Sequence, residues 1–183
     1  MATTLFDISS YLSTAGIKHR VEEEDDQIIT AFQTHHYIDV DKEGLLVVLI
    51  RLSNDGAFIS MTTPACYQYF NGPHSTAIHE ALLILNWNGF ARYKMDFTDG
   101  EIQASADLLL LDSLLTETQF ISNLLALVKT VDEHYLLLQP VISNGDLRPI
   151  KATFMPDELQ GPREKAISLF YELLMTRKRD PQP

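Results

Sequence analysis

Apolar residues along this chain recur with two periods, and the switches between them mark the elements. From Thr4 to Ala15, Leu5, Ile8 and Leu12 fall at helical spacing, and Gly16 follows where a left-handed C-cap belongs. KHRVEEE at 18–24 and IITAFQTHHYID at 28–39 read as extended, the second rich in β-branched and aromatic residues. A turn at DKEG leads into LLVVLIRLS at 45–53, apolar on both faces and hence expected to be a central strand. SNDG at 53–56 carries the Asp-Gly hairpin signal and feeds AFISMTT. This first part predicts one helix and an antiparallel meander.

PACYQYFNGPH at 64–74 reads as an aromatic-rich connector. Ser75 or Thr76 can then cap a helix with Ile78, Ala81, Leu82 and Leu85 on one face. After Gly89 the period drops to two. Ala91, Tyr93, Met95 and Phe97 fall on one side, Arg92, Lys94 and Asp96 on the other. Asp99-Gly100 turns the chain, and Ile102, Ala104 and Ala106 alternate with Gln103, Ser105 and Asp107, which makes a hairpin with one dry face. Thr116 with Gln119 has the form of a capping box, and Leu115 with Phe120 the spacing of a hydrophobic staple. Phe120, Leu124, Leu127, Val131 and Leu138 continue one stripe, which Pro140 is expected to end.

From Val141, Asn144-Gly145, Pro149, Pro156 and Gly161-Pro162 mark a long connector. A last amphipathic helix is expected from Pro162, with Ile167, Phe170, Leu173 and Leu174 on one face and Arg177, Lys178 and Arg179 at its C-terminal end. The pattern therefore predicts an α+β fold, a four-strand meander plus a hairpin packed by helices, over residues 1–140. Residues 141–183 add a connector and an extra C-terminal helix.

LNWNGF at 85–90 is the most distinctive short stretch. Asn86, Trp87 and Asn88 could hold a small ligand, two amides around an indole. Asn88-Gly89 also stands where a helix must stop and a hairpin begin, so a C-cap is the simpler reading, with Trp87 anchoring the helix end on the sheet. The aromatic connector offers Tyr67, Tyr69 and Phe70, residue types favoured at protein-binding surfaces, against the plainer reading that they close one end of the core. Tyr67, Tyr69, Phe70 and Trp87 are the candidate partner-binding residues.

A length of 183 residues at 45% hydrophobic is enough for one globular domain that buries its own core without metal or disulfide. The formal net charge of -11 repels phosphate backbones, so no nucleic-acid partner is expected. The acidic run VEEEDD at 21–26 reads as a solvated strand edge. Cys66 is the sole cysteine, best read as a small buried hydrophobe, and MATTLFDISS lacks the basic and apolar regions of a secretory signal. LLVVLI is too short to span a bilayer, so a cytoplasmic protein with no membrane partner is expected.

Catalytic patterns are missing. His74 and His79 do not share a helix face at metal-ligand spacing, and His35-His36 would point to opposite sides of a strand; all six histidines read as surface residues, with no metal or cofactor expected. No phosphate-cradling or nucleophile-elbow motif occurs, and no catalytic residue is singled out.

ALLILNWNGFARYKMDFTDGEIQASADLLLLDSLLTETQFISNLLALVKTVDEHYLLL, residues 81–138, resembles the second half of the YbjN family of bacterial proteins. In that family a leucine-rich helix ends in Asn, a hairpin turns at Gly, and a polar-capped helix follows an apolar link. YLSTAGIKHRVEEEDD and the strand LLVVLI fit the family's opening more loosely. The resemblance covers roughly residues 1–140. It implies an α+β fold similar to type III secretion chaperones and a role in regulating sensory transduction. The family's interior amide aligns with Asn86 or Asn88 and brings no chemical role with it. The expected function is a non-enzymatic, chaperone-like regulatory module that binds a protein and can self-associate. The alternative is a small-ligand-binding protein or enzyme with a pocket at Asn86-Trp87-Asn88.

Overall fold

The alternating stretches pair into a six-stranded antiparallel sheet in the computed structural model, which describes residues 3–39, 41–70, 72–110 and 114–155. β1 (His19–Glu22), β2 (Gln27–Gln33), β3 (Leu45–Ser53) and β4 (Phe58–Gln68) form the meander; β5 (Arg92–Met95) and β6 (Glu101–Leu109) form the hairpin. The spatial order is β1-β2-β3-β4-β6-β5, so β6 joins the hairpin to the meander. The α+β class and the meander-plus-hairpin layout are as the pattern predicts.

Register lines up one apolar face across the sheet. Ile28 faces Ile50, Ile50 faces Met61, and Met61 faces Ala106; Thr63 faces Ala104, which faces Tyr93. All are buried. The helices α1 (Leu5–Thr14), α2 (Ser75–Asn88) and α3 (Glu117–Asn144) pack on it, bringing in Ile8, Leu12, Ile78, Leu85, Phe120 and Leu124. Each such side chain contributes about 1.5–3 kcal/mol of transfer free energy. The opposite face carries Ile29, Leu49 and Thr62 in register, with Leu45 and Val47 exposed. β3 is thus central yet fully buried on one face only, against the expectation from its apolar run.

Caps agree with the sequence where they are local. Thr116 Oγ1 accepts from the Gln119 N–H at 3.2 Å and Gln119 Oε1 accepts from the Thr116 N–H at 3.2 Å, which closes the box at the start of α3. Gly16 has φ 71° after α1. α2 differs. Its N-cap is His74 with no side-chain cap bond, because the Ser75 hydroxyl instead donates to the Gly72 carbonyl at 3.0 Å.

Three further expectations are corrected. Pro140 does not end α3, which runs on to Asn144. The proline forfeits one ladder bond at a cost of about 3 kcal/mol. Burial of Val141 and the left-handed cap at Gly145 (φ 74°) offset it. The stretch after 141 is not all connector, since α4 (Arg148–Phe154) forms with Pro149 in its first turn and buries Ile150. β4 takes in PACYQ, so that half of the aromatic connector is strand. The helix expected from Pro162 lies outside the described residues.

VEEEDD also splits. Val21 and Glu22 end the edge strand β1, whereas Glu23–Asp25 make a single 3-10 turn into β2.

Candidate functional site

The end of α2 is where sequence reasoning looked for a site. Asn86 Nδ2 donates to the Tyr93 carbonyl at 3.0 Å, and its Oδ1 accepts from the Tyr93 N–H at 2.6 Å. The side chain therefore behaves like a neighbouring strand residue and closes the outer edge of β5. Asn88 Nδ2 donates back to the Ile84 carbonyl at 2.8 Å. Both amides serve backbone, as the helix-stop reading predicts. Gly89 caps α2 in an extended conformation (φ -99°, ψ 162°) rather than a left-handed one. It is needed for space: a Cβ there would stand 2.8 Å from the Leu85 carbonyl and 3.4 Å from the His134 ring.

Two polar side chains on α3 that the sequence reading missed are buried on different sides of that helix, and the second of them, His134, lies against this end of α2. The carboxylate of Asp132, buried on α3, accepts from three successive backbone N–H groups of the loop after β2: His36 at 2.7 Å, Tyr37 at 2.8 Å and His35 at 3.1 Å. Burial alone would raise this carboxyl, but the donors from Tyr37, His36 and His35 together outweigh it and hold it below the usual carboxylate range. His134, two residues on, is buried rather than on the surface as expected. Its Nδ1 shares a hydrogen bond of 2.9 Å with the Tyr93 hydroxyl, and Phe154 of α4 meets its ring edge-on at 5.7 Å. Burial depresses its basicity, and the nearby Glu133 offsets this less strongly. The available signal was the intrusion of Asp132 and His134 into an apolar stripe.

The four candidate aromatics separate. Tyr67 is 7% exposed and belongs to the core, not to a surface. A β-bulge between Thr63 and Tyr67, with Ala65 at φ 44°, turns both Cys66 and Tyr67 inward, where alternation would bury only one. Tyr67 then stacks on Tyr135 at 6.2 Å, meets Tyr37 edge-on at 6.0 Å, and donates to the Val131 carbonyl at 3.3 Å. Cys66 is buried as expected, its thiol pushed up to about 12 by desolvation. Tyr69 is half-buried, its hydroxyl accepting from the His74 N–H at 2.6 Å, so it braces the entry to α2.

Phe70 and Trp87 are exposed, at 55% and 76%. Trp87 thus does not anchor the helix end on the sheet. It sits one turn beyond Leu83, which is 70% exposed, and Leu83 one turn beyond His79, so the three share one face of α2. Phe97, 75% exposed, meets His79 edge-on at 5.5 Å. The pattern had put Phe97 on the dry face of β5; the strand ends at Met95, and Phe97 falls in the turn. That turn is tight against the chain at Phe70, since a Cβ on Gly100 would lie 2.9 Å from the Phe70 Cα. Phe97, His79, Leu83 and Trp87 thus make one exposed apolar surface across the β5–β6 turn and α2, and the exposed Phe70 follows from the backbone packed against that turn. Asp96 and Asp99, both exposed, flank it at the turn. Among the described residues, no group of three or more His, Cys, Asp or Glu is placed to hold a metal ion, and no helix is long and apolar enough to cross a membrane.

No family model matches this chain, and no curated protein does so. Among solved structures it is similar to YbjN from E. coli, described as a proposed transcription regulator, with a TM-score of 0.52 at 9% identity over 74% of this chain and 94% of that one. A second similar structure is an uncharacterized protein from Methanothermobacter thermautotrophicus, with a TM-score of 0.48 at 10% identity over 74% and 96% of the two chains. The likeness to YbjN shows the fold alone: this is a YbjN-like α+β fold.

Proposed function

We propose that this chain is a non-enzymatic, cytoplasmic protein-binding module, a divergent relative of the YbjN family that acts in regulation or in a chaperone-like way. The observation that carries the reading is the apolar surface of Leu83, Trp87 and Phe97. Exposed aromatic and aliphatic side chains grouped in one place mark interaction sites, where single ones do not. The shared fold with YbjN and the pattern of residues 81–138 support the family relation. The name given to YbjN suggests regulation for this chain too, through a protein rather than through DNA, given the net charge of -11.

Surface chemistry favours one class of partner. Apolar side chains bordered by Asp96 and Asp99 suit an amphipathic segment with an apolar stripe and basic flanks. Affinity capture from cytoplasm with the full-length chain and its Leu83→Lys/Trp87→Lys variant tests this. The expected outcome is a protein bearing such a segment, retained at high salt by the parent and lost from the variant. Identical captures by the two chains would remove the reading.

A further inference from the structure

The apolar surface lies beside the point where the described chain ends. α4 packs on α2 and α3, tied by Lys151 Nζ to Glu80 Oε1 at 2.7 Å and by Phe154 on His134. Glu80 is the neighbour of His79 on α2, so α4 borders one flank of the stripe His79, Leu83, Trp87. Met155 follows α4 and is exposed. Six residues, 156–161, separate it from Pro162, and extended they reach about 20 Å. The stripe itself, nine residues of helix from His79 to Trp87, is about 12 Å long.

Charge and pattern match as well as reach. Residues 156–183 hold five of the 14 Lys and Arg and five of the 25 Asp and Glu, so the whole formal charge of -11 sits on residues 1–155. All five cations fall within 162–179, against Glu164 and Glu172 alone. Read as a helix, Ile167, Phe170, Leu173 and Leu174 give an apolar stripe about 10 Å long. This stretch has the chemistry just assigned to the partner.

We propose that residues 162–179 are an occupant of this surface within the same molecule, their apolar stripe turned to Leu83, Trp87 and Phe97. A short linker gives such a segment an effective concentration of the order of millimolar, so it closes the surface even when its intrinsic affinity is weak. An incoming partner then has to displace it. That competition rests on the binding function proposed above; the docking does not.

Trp87 is the only tryptophan, so its fluorescence reports the surface directly. The test compares the full-length chain with its Phe170→Asp/Leu173→Asp variant. The variant is expected to emit at longer wavelength and to be quenched by acrylamide about twofold more strongly, as a tryptophan that has lost an apolar cover. The difference should be the same at every protein concentration. A synthetic peptide of residues 160–181 should reverse it, and should fail to do so when Leu83→Lys is added. A variant that had merely unfolded would not recover with peptide, and circular dichroism identifies it. Unchanged emission and quenching in a folded variant overturns the proposal. Protection of Trp87 that appears only as the parent is concentrated assigns the segment to a second copy and overturns docking within one molecule. If Trp87 is silent while Leu83→Lys/Trp87→Lys still loses its partner, the tail falls and the binding function stands.

Discussion

The buried polar side chains, Asp132 foremost, and the apolar surface around Trp87 lie at opposite ends of what a side chain can be asked to do. Asp132, His134, Asn86 and Tyr93 are the residue types of which active sites are made, yet each is engaged with neighbours inside the fold: the carboxylate with three N–H groups, the amide with the backbone of Tyr93, the imidazole with a phenol. Leu83, Trp87 and Phe97 are the types of which cores are made, yet they face outward. A buried polar group must find partners or lose several kcal/mol, so polarity inside a fold is first a matter of structure. An exposed apolar group meets no such demand, and the proposed binding function rests on a cluster of them.

Asp132→Ala should be the most damaging change, at about 2–4 kcal/mol by urea denaturation, because the loop at 35–37 loses the acceptor that ties it to α3. A loss no larger than that of a surface substitution would dissolve the contrast. Asn86→Ala comes next, at about 1–2 kcal/mol, with faster hydrogen exchange at the Tyr93 amide as the local signature. Acidification should act in two smaller stages. His134 is held below its ordinary value near 6.5, so the folded state resists protonation, and its contribution is complete above 6.5 and declines as pH falls below it. Asp132 is held below 3.8, so its contribution is present above that value and is lost as pH falls through the lower folded value. A thermal melt series should show both stages, and His134→Gln should flatten the first. Leu83→Lys/Trp87→Lys should change stability least, within about 0.5 kcal/mol. A large loss there would mean that these side chains support the fold rather than a partner.

Much of the fold was legible because it is written in contacts between residues close in sequence. The Thr116–Gln119 box joins residues three apart, the left-handed Gly16 and Gly100 stand at turns that require them, and the period-two runs at 91–95 and 102–106 announce a hairpin. Asn88-Gly89 was correctly read as a stop for the same reason. Where the local signal was ambiguous the outcome depended on context. Pro140 ends an isolated helix, but here the burial of Val141 and the cap at Gly145 carry α3 past it.

The candidate site was legible only in part. Phe70 and Trp87 were named as candidate partner-binding residues, although Trp87 was also expected to be packed. Tyr67 was named beside them and is in the core, because a bulge changes which face a residue takes without changing its identity. Leu83 and Phe97 were assigned no role, since a leucine in a helix and an aromatic in an alternating run both read as core. Sequence by itself determined the periods, the capping box of α3, the hairpin turns and the acidic charge, all properties of a residue and its near neighbours. Tertiary structure alone decided that Asp132 meets a loop 95 residues away, that β3 is fully buried on one face only, and that α2 turns an apolar stripe outward. The pattern of a chain says which faces are apolar; what lies against each face is settled only when distant segments pack.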